Sequence, residues 1–183
     1  DKKKDLRFQT YKKIYNDYSN FFHQQLFLES NKDSLEYLKK RGLNKNIIED
    51  FKLGYVPWKN NFYEELIKSY SEDEINLTGL YFKNEKTGKY IDRFNSRILF
   101  PVKNITGDTI AFGGRIVRDG KLAKYINSPE TEFYKKGNNL YNINSAKEVR
   151  DNNDEVFIVE GYMDVINLYK FGIKNVVANL GTA

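Results

Sequence analysis

The sequence predicts an α+β fold, and three observations carry that expectation. Apolar residues recur at helical spacing through the first third, β-rich runs broken by Gly-Asp and Asp-Gly fill the middle, and a strand–helix–strand pattern closes the 183 residues. Helices are expected over 1–80 and a β-rich, basic part over 81–137. Both belong to a first unit, 1–150, followed by the beginning of a second, 151–183.

In "LRFQTYKKIYNDYSNFFHQQLFLE", Ile14, Tyr18, Phe21, Phe22, Leu26 and Leu28 fall near a 3.6-residue period, which predicts one long helix. A second helix is expected in "DSLEYLKKRGL", with Asp33 or Ser34 as N-cap and Gly42 as its stop. A third lies in "NKNIIEDFKLG", with Asn44 and Gly54 in those roles. Pro57 and Trp58 punctuate, "NFYEELIKSY" reads as a further helix, and the helical part ends near Thr78-Gly79. "SRILFPV" and "TIAFGGRIV" are the clearest strands of a hairpin or meander. The paired Gly113 and Gly114 imply a bulge or a close approach of something else to the backbone.

Residues 124–150 read as irregular, with a short helix at "SAKEVR". Strand "VFIV", apolar enough to be buried, then helix "YMDVINLYKFG" and strand "NVVAN" make a β-α-β unit with two parallel strands and a right-handed crossover. Such a pair with one helix is not a stable sheet alone. It is either cut from a longer domain or completes its sheet against what precedes it.

Composition narrows the function classes. Apolar content of 40% with 15% aromatics argues against disorder. No apolar run approaches membrane-spanning length, and "DKKKDLRFQT" has neither a signal core nor an initiator Met, which points to a piece of a longer protein. The absence of cysteine excludes disulfides and thiolate zinc sites in these residues and suits a reducing compartment. The lone His23 reads as an ordinary helix-face residue. Residues 83–137 carry 12 Lys and Arg against 6 Asp and Glu, whereas the flanking parts are nearly balanced or acidic. A local positive field of this kind attracts polyanions.

Chemistry is concentrated in "EVFIVEGYMDVI". Ligands of open parallel sheets gather beyond the carboxyl ends of the strands, where Glu160 stands, with Asp164 in the first helical turn. Two readings remain open: the pair contributes to a divalent-metal site, or both acids oblige the helix N-terminus. Arg93, Arg97, Arg115 and Lys124 bring the basic middle towards this edge, and an unbroken strand would put Arg93 and Arg97 on one face. Aromatics interleave with them. Phe100 and Phe112 read as core; for Tyr125 and Phe133 both readings, core packing and stacking on bases, stay open.

These residues resemble the RNA-polymerase domain of DnaG-type bacterial primases. The resemblance rests on "YLKKRGL", "FKLGYVP", "DRFNSRILFPV", "GDTIAFGGRIV", "KYINSPET", "YKKGNNLY" and "VEGYMDVINLYKFGIKNVVANLGTA", in that order over 35–183. It implies that "VEGYMD" opens a Toprim domain, an α/β metal-binding fold, with Glu160 as metal ligand and possible acid/base and Asp164 as the motif's aspartate. It also implies that Arg93, Arg97 and Arg115 line a groove for template and nucleotide, and that Lys124, Tyr125, Asn127 and Lys136 lie near the nucleotide. Asn95 stands where the family is often basic, and Lys135 where it commonly has histidine.

The activity implied is synthesis of short RNA primers on single-stranded DNA by metal-dependent nucleotidyl transfer from ribonucleoside triphosphates. The cofactor is Mg²⁺ or Mn²⁺; zinc belongs only to a preceding domain. The partners implied are a replicative helicase and single-strand-binding protein, reached through neighbouring regions, for a monomer at the cytoplasmic replication fork and no membrane. Further aspartates are expected beyond residue 183, so these residues alone are expected to bind single-stranded DNA weakly and to make no primer. The alternatives are another Toprim enzyme, a nuclease or topoisomerase, and a non-catalytic single-stranded nucleic-acid-binding module.

Overall fold

Helix α1 spans Lys2–Gln25 and turns Tyr11, Ile14, Tyr15, Tyr18 and Phe22 inward. Of the residues read as its apolar face, Ile14, Tyr18 and Phe22 are buried and Phe21 is half-buried; Leu26 and Leu28 lie past its end, Leu26 buried and Leu28 exposed. The computed structural model describes residues 2–118, 120, 122–149 and 155–181; the boundary expected at 150/151 lies outside them. Helices α2 (Lys32–Lys40) and α3 (Lys45–Asp50) follow. Asn44 caps α3 as expected, its Oδ1 accepting from the Ile47 N–H at 3.0 Å. For α2 the N-cap is Asn31, not Asp33 or Ser34, because the helix starts at Lys32, two residues earlier than an Asp33 cap allows and three earlier than a Ser34 cap.

Gly42 stops α2 at φ 77°, but α3 is stopped by Lys52, at φ 49°. Gly54 instead opens strand β1 (Gly54–Val56), and a Cβ there would meet the Phe22 carbonyl group at 3.0 Å, so it is the contact between β1 and α1 that excludes a side chain.

Helices α4 (Phe62–Leu66) and α5 (Glu72–Asn76) complete the helical part. Strands β2 (Tyr81–Lys83) and β3 (Tyr90–Asp92) form a small antiparallel pair. Strands β4 (Arg97–Lys103) and β5 (Thr109–Ile116) are the expected hairpin, and β6 (Tyr125–Asn127) joins them, giving a sheet of order β1-β4-β5-β6. Neither β1 nor β6 was legible as a strand: each has only three residues, too few for an alternation to show. Helix α6 (Ile143–Ala146) starts two residues before "SAKEVR". The end of the chain is β7 (Phe157–Val159), α7 (Tyr162–Lys170) and β8 (Val176–Ala178), with β7 and β8 parallel.

The rings of Tyr15, Tyr18, Phe94 and Phe112 pack between α1 and the four-stranded sheet. Tyr18 and the Phe94 N–H each donate to Asp92 Oδ1 at 2.8 Å, whereas Asp92 Oδ2 has no partner. The terminal unit does not extend this sheet; β8 makes one antiparallel bridge, to Tyr141. Strand β8 is buried, but Val156, Phe157 and Ile158 are 49%, 49% and 71% exposed, contrary to the buried strand expected there. Apolar content marks a strand suited to being covered on both faces; in these residues only β8 flanks it.

Candidate nucleic-acid and metal site

What holds the terminal unit to the sheet is Tyr162. Its ring stacks on Phe100 at 5.2 Å and meets Tyr141 edge-on at 4.7 Å, and its hydroxyl donates to Asn127 Oδ1. A Cβ on Gly113 would fall 2.3 Å from Tyr162 Cζ, and one on Gly114 would fall 2.5 Å from Phe94 Cδ1. The paired glycines therefore mark a close approach, by two aromatic rings, and not a bulge; the register shift of this hairpin lies at Val102/Lys103. The Tyr162 contact was not anticipated, although a tyrosine inside a polar "EGYMD" turn is the signal that it must pack on something.

This docking forms a cleft of about 400 Å³ at the carboxyl ends of the parallel strands, bringing together Tyr125, Asn127, Glu160 and Asp164 with Met163 and Leu180. Glu160 is exposed, and among the described residues its carboxylate meets no donor or cation. Asp164 behaves differently: its Oδ2 accepts the Gly161 N–H at 3.1 Å, the acid half of a capping box whose other half glycine cannot supply. The two readings of this pair thus divide between its members. Asp164 bonds its own helix N-terminus, and among the described residues Glu160 has no partner.

The basic residues are spread around the cleft rather than within it. Arg93 is half-buried in the turn after β3, its Nε donating to Gly79 O at 2.8 Å and its guanidinium 5.7 Å from the Phe82 ring. The strand does not run unbroken to Arg97, because Ser96 turns it at φ 60°, so the condition for a shared face fails. Arg97 is 5% exposed and donates to the carbonyls of Ala123 (2.9 Å), Lys124 (3.3 Å) and Gly114 (3.4 Å). Burial lowers its pKa.

Arg115, 4% exposed, is sandwiched between the rings of Tyr37 (5.0 Å) and Tyr125 (5.2 Å). Its Nε donates to the Tyr37 hydroxyl, and its buried Nη1 has no acceptor. Lys124 is exposed, and Lys136 opens a short 3-10 turn whose N–H donates to Glu130 Oε1 at 2.9 Å. Asn127 links the two units, its Nδ2 donating to Leu180 O at 2.9 Å. Phe133 is half-buried and packs on Phe8 and Tyr11, both at 5.1 Å, against the core; Tyr125 stays exposed. His23 Nδ1 lies 2.6 Å from Leu53 O, an ordinary helix-face contact.

As a metal centre the donor set is incomplete. Mg²⁺ demands near-octahedral oxygen ligation, and no group of three His, Cys, Asp or Glu converges among the described residues. Glu160 fits as one ligand and no more.

A parallel β-α-β unit presenting an unpartnered glutamate, docked by its helix onto a helix-backed antiparallel sheet, defines a Toprim-type arrangement on an α+β core. Residues 21–147 match the family described as DNA primase catalytic core, N-terminal domain, and residues 154–183 match the Toprim domain. The chain belongs to the DNA primase catalytic core family. It is 43% identical over 173 residues to the DNA primase of Pseudomonas putida, covering 90% of this chain and 25% of that protein. The zinc-binding and RNA-polymerase domains of Aquifex aeolicus primase superpose with a TM-score of 0.88 at 33% identity, covering 97% of this chain and 43% of that one. A DnaG primase catalytic domain bound to single-stranded DNA gives 0.87 at 32% identity, covering 98% and 58%. The chain thus spans about a quarter of the length of the curated relative. No helix among the described residues is long and apolar enough to cross a membrane.

Proposed function

We propose that the whole protein is a primase, a nucleotidyltransferase that builds short RNA primers on single-stranded DNA from ribonucleoside triphosphates, at the replication fork in the cytoplasm. The observation that carries this is Glu160, in a chain of the primase family: a carboxylate without a structural partner at the carboxyl edge of β7, facing a cleft shared with Tyr125 and Asn127. Glu160 is one ligand of a Mg²⁺ or Mn²⁺ ion or acts as acid/base, and the other carboxylates come from outside these residues. Such an ion supplies neutralisation of the charge that develops on the transferred phosphate.

The protein's own groups position the strands. Tyr125 offers an exposed ring for a base, and Arg115 behind it carries a buried donor that lacks an acceptor, the state expected of a group awaiting an anion. Arg93, Lys124 and Lys136 contribute positive potential around the groove. Arg97 acts through the loop carbonyls it holds, and Asn127 through the docking of the terminal unit. Asp164 holds the Gly161 turn that aims Glu160. The helicase and single-strand-binding protein are met by regions outside these residues, and the 183 residues alone bind single-stranded DNA weakly and make no primer.

The test is template-dependent primer synthesis by the whole protein with Mg²⁺ or Mn²⁺. Glu160→Gln is expected to abolish product while leaving the melting temperature unchanged; full activity of that variant removes Glu160 from the chemistry.

A further inference from the structure

At the turn end of the β4–β5 hairpin, where Lys103 pairs with Thr109, α1 and the connection after α3 close around a polar cleft of about 360 Å³. Its walls carry four lysines, Lys12, Lys13, Lys52 and Lys103, against one carboxylate, Asp108. That carboxylate is held by the Thr106 hydroxyl of its own turn at 2.9 Å and by Lys12 at 3.2 Å, so it neutralises one cation of the four. Elsewhere Lys32, Lys45, Lys68, Lys83 and Lys135 each meet a glutamate, and others such as Lys39, Lys59 and Lys89 meet none among the described residues; what sets this cleft apart is that its lysines line one cavity. Among the described residues Lys13, Lys52 and Lys103 meet no carboxylate.

Lys52 supplies a second, independent observation. It occupies the left-handed position after α3, at φ 49°, where glycine is relaxed and an L side chain costs about 1 kcal/mol or more. Its half-buried ammonium donates to Asn20 Oδ1, and burial together with the nearby Lys103 lowers its pKa. An anion placed against a partly desolvated cation beside a like charge relieves both costs.

We propose that this cleft is a phosphate-binding site, taking the oxyanions of a polyphosphate or of a nucleic-acid backbone on Lys13, Lys52 and Lys103. Lysines suit this role as point charges that need no fixed fork geometry. The site lies four residues along β5 from Gly113, roughly 13 Å, and does not depend on the role given to Glu160.

The experiment acylates the lysines of the whole protein with an amine-reactive acetyl ester and maps them by mass spectrometry. It is run alone, with tripolyphosphate, and with oligothymidylate. Acylation of Lys52 and Lys103 is expected to fall severalfold, with Lys32 and Lys68 unchanged. Protection by tripolyphosphate identifies free polyphosphate as the source, and protection by oligothymidylate alone identifies the strand backbone. Protection in neither arm overturns the proposal.

Lys52→Gly relaxes the backbone while removing the charge, so the double variant with Lys103→Gln is expected to fold and to bind the protecting ligand about tenfold more weakly, or about 1.4 kcal/mol. Unchanged affinity in that variant also overturns it. Glu160→Gln is expected to keep the protection, so loss of primer synthesis and loss of this site are read separately.

Discussion

Gly113→Ala tests the docking of the terminal unit most directly. The added methyl carbon would sit 2.3 Å from Tyr162 Cζ and 2.4 Å from Cε2, well inside the 3.5–4.0 Å or so of an ordinary carbon contact. The ring cannot simply withdraw, because Phe100 stacks on it, Tyr141 meets it edge-on and Asn127 accepts its hydroxyl. Overpacking of this kind costs about 1–3 kcal/mol. Tyr162→Ala removes a ring that is 8% exposed and is expected to cost about 3–5 kcal/mol.

In the double variant the new methyl enters the vacated space, so its cost largely disappears. The double is then expected to be no less stable than Tyr162→Ala alone, a coupling of about 1–3 kcal/mol. Equilibrium urea unfolding of the four proteins, followed by circular dichroism, measures the cycle. Additivity to within about 0.5 kcal/mol would refute the wedge. Because Glu160 lies two residues before the ring, Gly113→Ala is also expected to lower primer synthesis by the whole protein.

Four further outcomes follow from individual side chains. Burial raises the Asp92 carboxyl from 3.8 to about 7, so between those values the folded state holds a proton that the unfolded chain has released. This group's contribution is complete below about pH 4 and is lost as pH rises through 7. Asp92→Asn is therefore expected to gain stability relative to the parent, on the order of a few kcal/mol, between pH 5 and pH 8; parallel pH profiles would exclude this. Arg97→Gln removes the guanidinium bonds to the carbonyls of Gly114, Ala123 and Lys124, of which Lys124 O keeps the Ile116 N–H at 3.0 Å, and is expected to lower stability by about 1–3 kcal/mol in thermal melts. Asp164→Ala loses the bond to the Gly161 N–H and is expected to cost about 0.5–1 kcal/mol, whereas Glu160→Ala is expected to leave the melting temperature unchanged.

Long-period features are legible in the sequence alone. The face of α1, the Asn44 cap, the β4–β5 hairpin and the β7-α7-β8 crossover each repeat a local rule over enough residues to be recognised. Short elements are not. Strands β1 and β6 owe their state to the hairpin between them, and tertiary pairing overrides what three residues prefer on their own.

In the site, residue type was readable and use was not. Arg97 and Arg115 look alike in sequence, yet one is committed to loop carbonyls and the other is stacked between tyrosines with a donor unmatched. The sequence by itself determined which groups could carry charge and where helices and crossovers must run, because both depend on neighbours along the chain. Only the tertiary structure decided that two glycines receive two rings, that Asp164 accepts the Gly161 N–H, and that Glu160 meets no partner among the described residues. Those outcomes depend on side chains tens of residues apart meeting in space, and no local pattern encodes such distances.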